Sequence, residues 1–358
     1  MFRKTFAEVD LDAIKNNAEF FMKNSKKKII GVVKANGYGS IDYMEAKTLQ
    51  KTGVDFFAVS SLDEAMRLRN HDIKGKILIL GYAPMDHMDL IRENNISIVT
   101  ISREYVEKAD LKDVNIHIKL NTGMNRIGIR PEEAKEVLTI LKEKGANIEG
   151  ITSHFSSADS DLAFSERQYQ IFKNCVNSLQ YDFPYIHMHA TDSAIMIKDD
   201  ICNYQRIGLG LLGYSTYNAP LKPSIRLFSE VTMAKKLNKG ETVSYGRHFT
   251  SDGSGYILTL PIGYADGFYR ANTGKNVYIE GEYAPIVGSI CMDQMMIRTD
   301  KYYETGTPVE IYGDHINIEK RAEQLGTITY ELLTGISDRV SRVFIKDGQT
   351  FKVIDQRI

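Results

Sequence analysis

A chain of 358 residues is long enough for two domains, because single cores usually stop growing at roughly 250–300 residues. A formal net charge of −1 with 25% charged residues argues against a nucleic-acid or anionic-membrane partner. No segment approaches the ~20 apolar residues of a membrane span, and the start, Met1 to Glu8, turns acidic before the apolar run that a signal peptide requires. Cys175, Cys202 and Cys291 are odd in number and lack metal-ligand spacing, so a reduced, cytoplasmic protein without a metal site is expected.

Up to about residue 220, short apolar runs alternate with helical patterns. The runs cover 29–33, 55–60, 77–80, 96–101, 115–120, 148–152, 185–188 and 207–212. Strands alternating with helices in this way predict an α/β fold, a parallel (β/α)8 barrel of the TIM type. Asp63 and Glu64 after Ser60-Ser61 read as the acidic first turn of a capped helix. Ala134, Val137, Leu138 and Leu141 form one helical stripe, opened by Pro131 and closed by Gly145. From about Ser224 the pattern becomes one of alternating runs broken by glycine turns at intervals of about ten residues, which predicts a mainly β domain. One helical pattern, Ile318 to Leu333, interrupts it.

The first apolar run ends in Lys34, followed by Ala35-Asn36-Gly37-Tyr38-Gly39. A buried strand that delivers an amine to its C-terminal edge suits a lysine that reacts. Gly37 and Gly39 let the backbone approach a bound group, and Tyr38 offers it a hydroxyl. Together these features suggest a Schiff base to pyridoxal 5'-phosphate. On these residues alone, a strand-end lysine placed for solubility is an equal alternative. Other polar residues fall where barrel strands end: His154 after the sixth run, His187 and His189 at the seventh, and Arg206 near the eighth. A single histidine there is more often structural, but several polar groups on one barrel face favour a site.

The segments VVKANGYG, KLNTGMNRIG, SHF, HATDS, RIGLGLLGY, VSYG, IGYADGFYR, GSICMDQ and YELLTGIS lie in this order between Phe6 and Arg342. By them the chain resembles the alanine racemase family, the fold-type III pyridoxal-phosphate-dependent racemases. The resemblance implies a cofactor-binding barrel over residues 8–222 and a C-terminal β domain over 223–358, joined by an N-terminal strand at 1–7. It implies that Lys34 is the Schiff-base lysine and one of two bases, with Tyr245 from the other subunit as the second. His154 and Arg206 would poise that tyrosine. Arg206 would face the pyridine nitrogen, where a guanidinium donates a hydrogen bond without surrendering its proton, which favours proton exchange over decarboxylation or transamination. Tyr38, Ser193 and the backbone N–H groups of Gly208 and Leu209 would hold the phosphate.

Arg126 would contact the substrate carboxylate or a cofactor oxygen, oriented by a carbamylated Lys119. Tyr264, Met292 and Asp293 would line the pocket from the partner subunit, which makes an obligate two-fold homodimer. Three positions depart from the family pattern. Asn121 and Asp192 stand where aspartate and asparagine are usual, and Asp338 replaces a tyrosine beside the substrate passage. A smaller, anionic Asp338 makes a roomier pocket that suits a serine hydroxyl or a basic side chain. Simpler readings exist: Tyr245 as a turn residue, Ser193 as a helix N-cap, and Asp338 paired with Arg339 or Arg342. The expected activity is racemisation of alanine, supplying D-alanine for peptidoglycan. The alternatives are a racemase for serine, lysine or ornithine, or a non-catalytic cofactor carrier, which would not need the C-terminal domain.

Overall fold

The computed structural model describes residues 2–356. After β1 (Phe6–Asp10), eight strands follow in the order β2 (Lys28–Val32), β3 (Phe56–Val59), β4 (Lys76–Ile79), β5 (Ile96–Val99), β6 (Asn115–Lys119), β7 (Asn147–Thr152), β8 (Tyr185–His187) and β9 (Tyr204–Ile207). Strands β2 to β9 pair in sequence order, each parallel to the next, and β9 returns to β2 to close a barrel. Every residue of β3 and β5 is buried, as expected of parallel strands covered on both faces.

The last barrel strand differs from the expected one. The apolar run 207–212 forms a short 3-10 turn at Leu209–Leu212, ended by Gly213 in the left-handed region at φ 93°. The strand itself lies earlier, at Tyr204–Ile207. Two of its buried positions are polar, Gln205 and Arg206 at 1% and 5% exposed, one on each face of the strand, so an apolar run could not mark it. The stripe helix opens as a 3-10 turn at Pro131–Glu133 and continues through Ala134–Glu143, burying Ala134, Val137, Leu138 and Leu141.

The chain divides into two compact units, Ala13–Lys222 and Met1–Asp12 with Pro223–Ile358. The second is built on a ten-stranded sheet in which β1 lies inside. β1 pairs antiparallel with Ile225–Glu230 and parallel with Ser341–Lys346, burying Ala7 and Val9. The helical pattern from Ile318 to Leu333 is two helices, Ile318–Leu325 and Thr329–Gly335. Gly326 at φ 68° ends the first, because a left-handed C-terminal residue satisfies the last carbonyls and breaks the helix. Among the described residues no helix is long and apolar enough to cross a membrane.

Candidate active site

Lys34 lies two residues past the end of β2 and opens a left-handed turn. Ala35, Asn36, Gly37 and Tyr38 have φ values of 52°, 54°, 64° and 51°. Each non-glycine residue there costs roughly 1–2 kcal/mol, so the turn must be held from outside. Ser61 caps the helix Leu62–Asn70, placing Glu64 so that its Oε1 accepts the Ala35 N–H at 2.8 Å and its Oε2 accepts the Ser60 N–H at 2.7 Å. Arg67 of the same helix donates to Asn36 Oδ1 at 3.1 Å and to Asp42 Oδ1 at 3.0 Å. Gly37 serves the turn itself, since a Cβ there would lie 2.6 Å from Ser40 Oγ and 2.8 Å from Glu45 Oε2. Gly208 is bare because its missing Cβ would fall on the phenol of Tyr38, which brings the two predicted phosphate contacts together.

Arg206 is the hub. Its Nη2 donates to His154 Nδ1 at 2.8 Å and to the carbonyls of Ser153 and Met188 at 2.9 and 3.0 Å. Its Nη1 donates to Thr152 Oγ1 at 2.9 Å and to His187 Nδ1 at 2.7 Å. Its Nε has no hydrogen-bond partner among the described residues. Burial brings this guanidinium down to about 10, which leaves it protonated at neutral pH. Burial, then the charges of Arg206, Lys119, Arg126 and Lys34, hold His154 well below its ordinary value, so it is neutral. Because its Nδ1 accepts from Arg206, its proton sits on Nε2.

Burial, aided by Arg126 and Arg206 and opposed by Glu64, lowers the proton affinity of Lys34. Lys119, 8% exposed, falls to about 7 through burial and the charges of Arg206 and Arg126. Arg126 is exposed on the loop after β6.

Ser193 is 1% exposed and lies third in the helix Thr191–Met196, not at its N-cap as sequence suggested. Its Oγ accepts the Ala190 N–H at 2.8 Å. Gly208 and Leu209 open a 3-10 turn, where leading N–H groups have no intrahelical acceptor. Asp192 turns its carboxylate to the Ser215 hydroxyl at 2.6 Å and the Thr216 N–H at 3.2 Å. Asn121 shapes its own loop, accepting the N–H groups of Gly123 and Asn125 at 3.2 and 3.0 Å and donating Nδ2 to Asn125 Oδ1 at 2.9 Å; an aspartate could make the first two bonds but not the third.

His189, Asp199 and Cys202 bring potential metal-ligand atoms within 4.8 Å of one another. The Asp199 carboxylate is already bound to Lys27 at 2.9 Å and to His189 at 2.5 Å, which makes the group an ion-paired anchor. Sequence reasoning missed His117 and Glu149 altogether. Their signal was the pairing of His117 with Gly150 across β6 and β7, a large polar residue beside a residue without a side chain.

In the second unit, four of the sequence segments bind one another. Ser244 Oγ donates to the Ser289 carbonyl at 2.7 Å, and Ser289 Oγ returns a bond to the Tyr245 carbonyl at 2.8 Å. The Tyr264 N–H reaches the Cys291 carbonyl at 3.1 Å, and the Ala265 N–H reaches that of Met292 at 3.0 Å. Ser337 Oγ donates to the Ala265 carbonyl at 2.9 Å. Arg339 pairs with Asp293 at 2.5 Å and with Asp266 at 3.4 Å. Asp338 is exposed, and the expected pairing with Arg339 does not form because that guanidinium is engaged elsewhere. Arg342 is directed to the carbonyls of Ile336 and Ser337 at 2.7 Å and feels Asp338 only through space. Tyr245, Met292 and Tyr264 are 77%, 53% and 42% exposed.

A lysine of lowered proton affinity at a barrel mouth, with a fixed cation and a neutral histidine, defines a (β/α)8-barrel enzyme built for proton chemistry. The family model for the alanine racemase N-terminal domain matches residues 9–216, and that for its C-terminal domain matches residues 224–344. The chain belongs to the alanine racemase family. It is 38% identical to alanine racemase of Macrococcus caseolyticus over 369 residues, covering 97% of this chain and 96% of that one. It is similar to the crystal structure of alanine racemase from Bacillus anthracis with bound L-Ala-P, with a TM-score of 0.94, 33% identity, and 99% and 98% of the two chains covered. Histidine racemase from Leuconostoc mesenteroides superposes with a TM-score of 0.90 at 25% identity, covering 96% of this chain and 99% of that one.

Proposed function

We propose that the protein is a pyridoxal 5'-phosphate-dependent, two-base racemase of alanine. We infer that it works in the cytoplasm as a homodimer whose sites draw residues from both copies. Arg206 carries the reading: a buried guanidinium fixed through both Nη atoms, its Nε left as the single unused donor.

The residues present fit the cofactor. Lys34 offers an amine of lowered proton affinity for its aldehyde, Arg206 Nε a donor for its ring nitrogen, and Tyr38, Ser193 and the amides of Gly208 and Leu209 uncharged donors for its phosphate. Bound there, pyridoxal phosphate supplies the electron sink that acidifies the substrate's α-hydrogen. Because Arg206 keeps its proton, it orients the ring nitrogen without charging it, which limits the reaction to proton exchange.

Lys34 then removes or returns the α-proton on one face of the substrate, and Tyr245 of the partner subunit does so on the other. The His154 Nε2–H is the donor available to that phenol oxygen when it is ionised. The exposure of Tyr245, Tyr264 and Met292 supports the shared site, since these residues have no cover in their own chain. Lys119, about 7 and therefore partly a neutral nucleophile, suits addition of CO₂, and the resulting carbamate would orient Arg126 toward the substrate carboxylate. The three cysteines are free, which fits a reducing cytoplasm. The D-alanine formed would serve peptidoglycan.

A second reading, turnover of serine or a basic amino acid, is favoured by one observation: Asp338 is exposed and carries no ion pair among the described residues. A structural relative named for histidine racemisation fits the same reading. The test is D/L interconversion of a panel of amino acids by the purified protein, with and without added cofactor. Fastest turnover of alanine that depends on the cofactor supports the proposal, and no turnover with the cofactor present rejects it.

A further inference from the structure

Beneath Arg206 a line of polar side chains descends through the barrel core. His187 Nε2 lies 2.9 Å from His117 Nδ1, and His117 Nε2 lies 3.2 Å from Glu149 Oε1. Both histidines are fully buried. At the lower end Lys76 Nζ reaches Glu149 Oε2 and Ser97 Oγ reaches Oε1, both at 2.5 Å.

The chemistry of the two ends fixes every proton between them. His187 Nδ1 lies 2.7 Å from Arg206 Nη1 and 2.9 Å from Thr152 Oγ1; a guanidinium has no lone pair to offer and makes the closer contact, which assigns Nδ1 as its acceptor and places the His187 proton on Nε2. His117 Nδ1 is therefore the acceptor, and its proton sits on Nε2, pointing at Glu149. From the other end, an ionised carboxylate accepts only, which independently demands a proton on His117 Nε2. Burial, the leading cause, lowers the proton affinity of both imidazoles; Arg206 adds to it, and at His117 Glu149 opposes it without reversing the direction. Burial opposes ionisation of Glu149, but the bonds from His117, Lys76 and Ser97 overcome it and hold the carboxyl at about 2.

The barrel makes room for this line. A Cβ on Gly150 would overlap the His117 ring, and the β6–β7 register shifts at Ile116/His117. The line also answers an energetic question. Among the described residues each hydrogen-bond partner of Arg206 is neutral: one hydroxyl, three carbonyls and two imidazoles. A buried cation left without a counter-charge is costly. Glu149 is the carboxylate that the relay connects to it.

We propose that His187, His117 and Glu149 form a one-way hydrogen-bond relay that holds Arg206 as a donor-only cation and keeps its Nε directed at the cofactor's ring nitrogen. They are positioning residues, and their role rests on the proposed function. Glu149→Gln breaks the relay's direction, because an amide can donate back to His117 Nε2. Gly150→Ala breaks it without touching a charge, by pushing the His117 ring aside.

The test begins with ¹⁵N NMR of the imidazoles in wild-type protein stripped of cofactor, which needs no activity and no variant. The expected spectra show His117 and His187 neutral and protonated on Nε2 at neutral pH. A proton on Nδ1 of either ring, or a protonated imidazolium, overturns the relay. In holoenzyme of the two variants, the visible absorption of the bound cofactor should shift and kcat should fall about 10–100-fold, with KM for alanine within about threefold of wild type. Folded variants with wild-type absorption and kcat also overturn it. The predicted tautomers in a protein that racemises nothing would support the relay and reject the proposed function.

Discussion

In the barrel, Arg206 and Lys119 are 5% and 8% exposed, and His117, His187 and His189 are exposed by 1% or less. In the second unit, Tyr245, Met292 and Tyr264 are 77%, 53% and 42% exposed. The two regions solve different problems. Groups whose proton affinities must be shifted need a dry, rigid surround, because desolvation and fixed charges act strongly only there. On the proposed function, residues that complete a partner's site must instead stand proud of their own chain, held through their backbones. In the exposed group, Ser244 Oγ and Ser289 Oγ each donate to a backbone carbonyl and the Tyr264 N–H to another, so the backbones are held while the side chains of Tyr245, Tyr264 and Met292 stay clear.

The comparison breaks first at Lys34. Lys34→Ala should remove the visible absorption of the bound cofactor and lower racemisation by more than about 10³-fold. A retained absorption band would assign the cofactor to another lysine.

Tyr245→Phe tests the exposed region. Racemisation should fall by roughly 10²–10⁴-fold, while solvent deuterium still enters one enantiomer through Lys34. Equal loss of exchange from both enantiomers, together with loss of the dimer, would make this residue structural.

The buried region also makes a stability prediction. Glu149 is held at about 2, below the ordinary glutamate value of 4.5. A depressed folded value means the ionised group contributes stability above about pH 4.5, and loses it as pH falls through the window down to about 2. Glu149→Gln should therefore lower stability at neutral pH and flatten the acid limb of the stability curve. Denaturant melts of both proteins from pH 7 to pH 3 check this, and parallel curves would rule out the ion.

The smallest expected effect concerns Asp338. Wild type should turn over serine or a basic amino acid measurably, and Asp338→Tyr should shift preference toward alanine by about ten- to a hundredfold. A wild type confined to alanine, with a specificity untouched by the substitution, would remove Asp338 from the specificity argument.

Much of this molecule was legible before its structure. Seven barrel strands were visible because strands buried on both faces read as apolar runs, and Lys34 stood out at the end of the first. The eighth was displaced because β9 gives buried positions on its two faces to Gln205 and Arg206, and site chemistry at Arg206 replaces the apolar signal. Ile318 to Leu333 read as one helix because its apolar spacing carries through Gly326, and only the left-handed φ of 68° reveals the break. The left-handed turn after Lys34 was hidden as well, since Ala35 and Asn36 adopt it only under the hold of Glu64 and Arg67. His117 and Glu149 were unreadable for a related reason: a buried polar line is assembled from four strands, and no local spacing records it.

Subunit exchange tests most directly the proposed site, which would take Lys34 from one copy and Tyr245 from another. Lys34→Ala and Tyr245→Phe proteins are each nearly inactive, and mixing them in equal amounts under conditions that exchange subunits produces hybrids with one intact site. With half the dimers hybrid and one of two sites restored in each, activity should return to about a quarter of wild type. A mixture no more active than its components, although mass spectrometry shows hybrids present, would contradict the shared site.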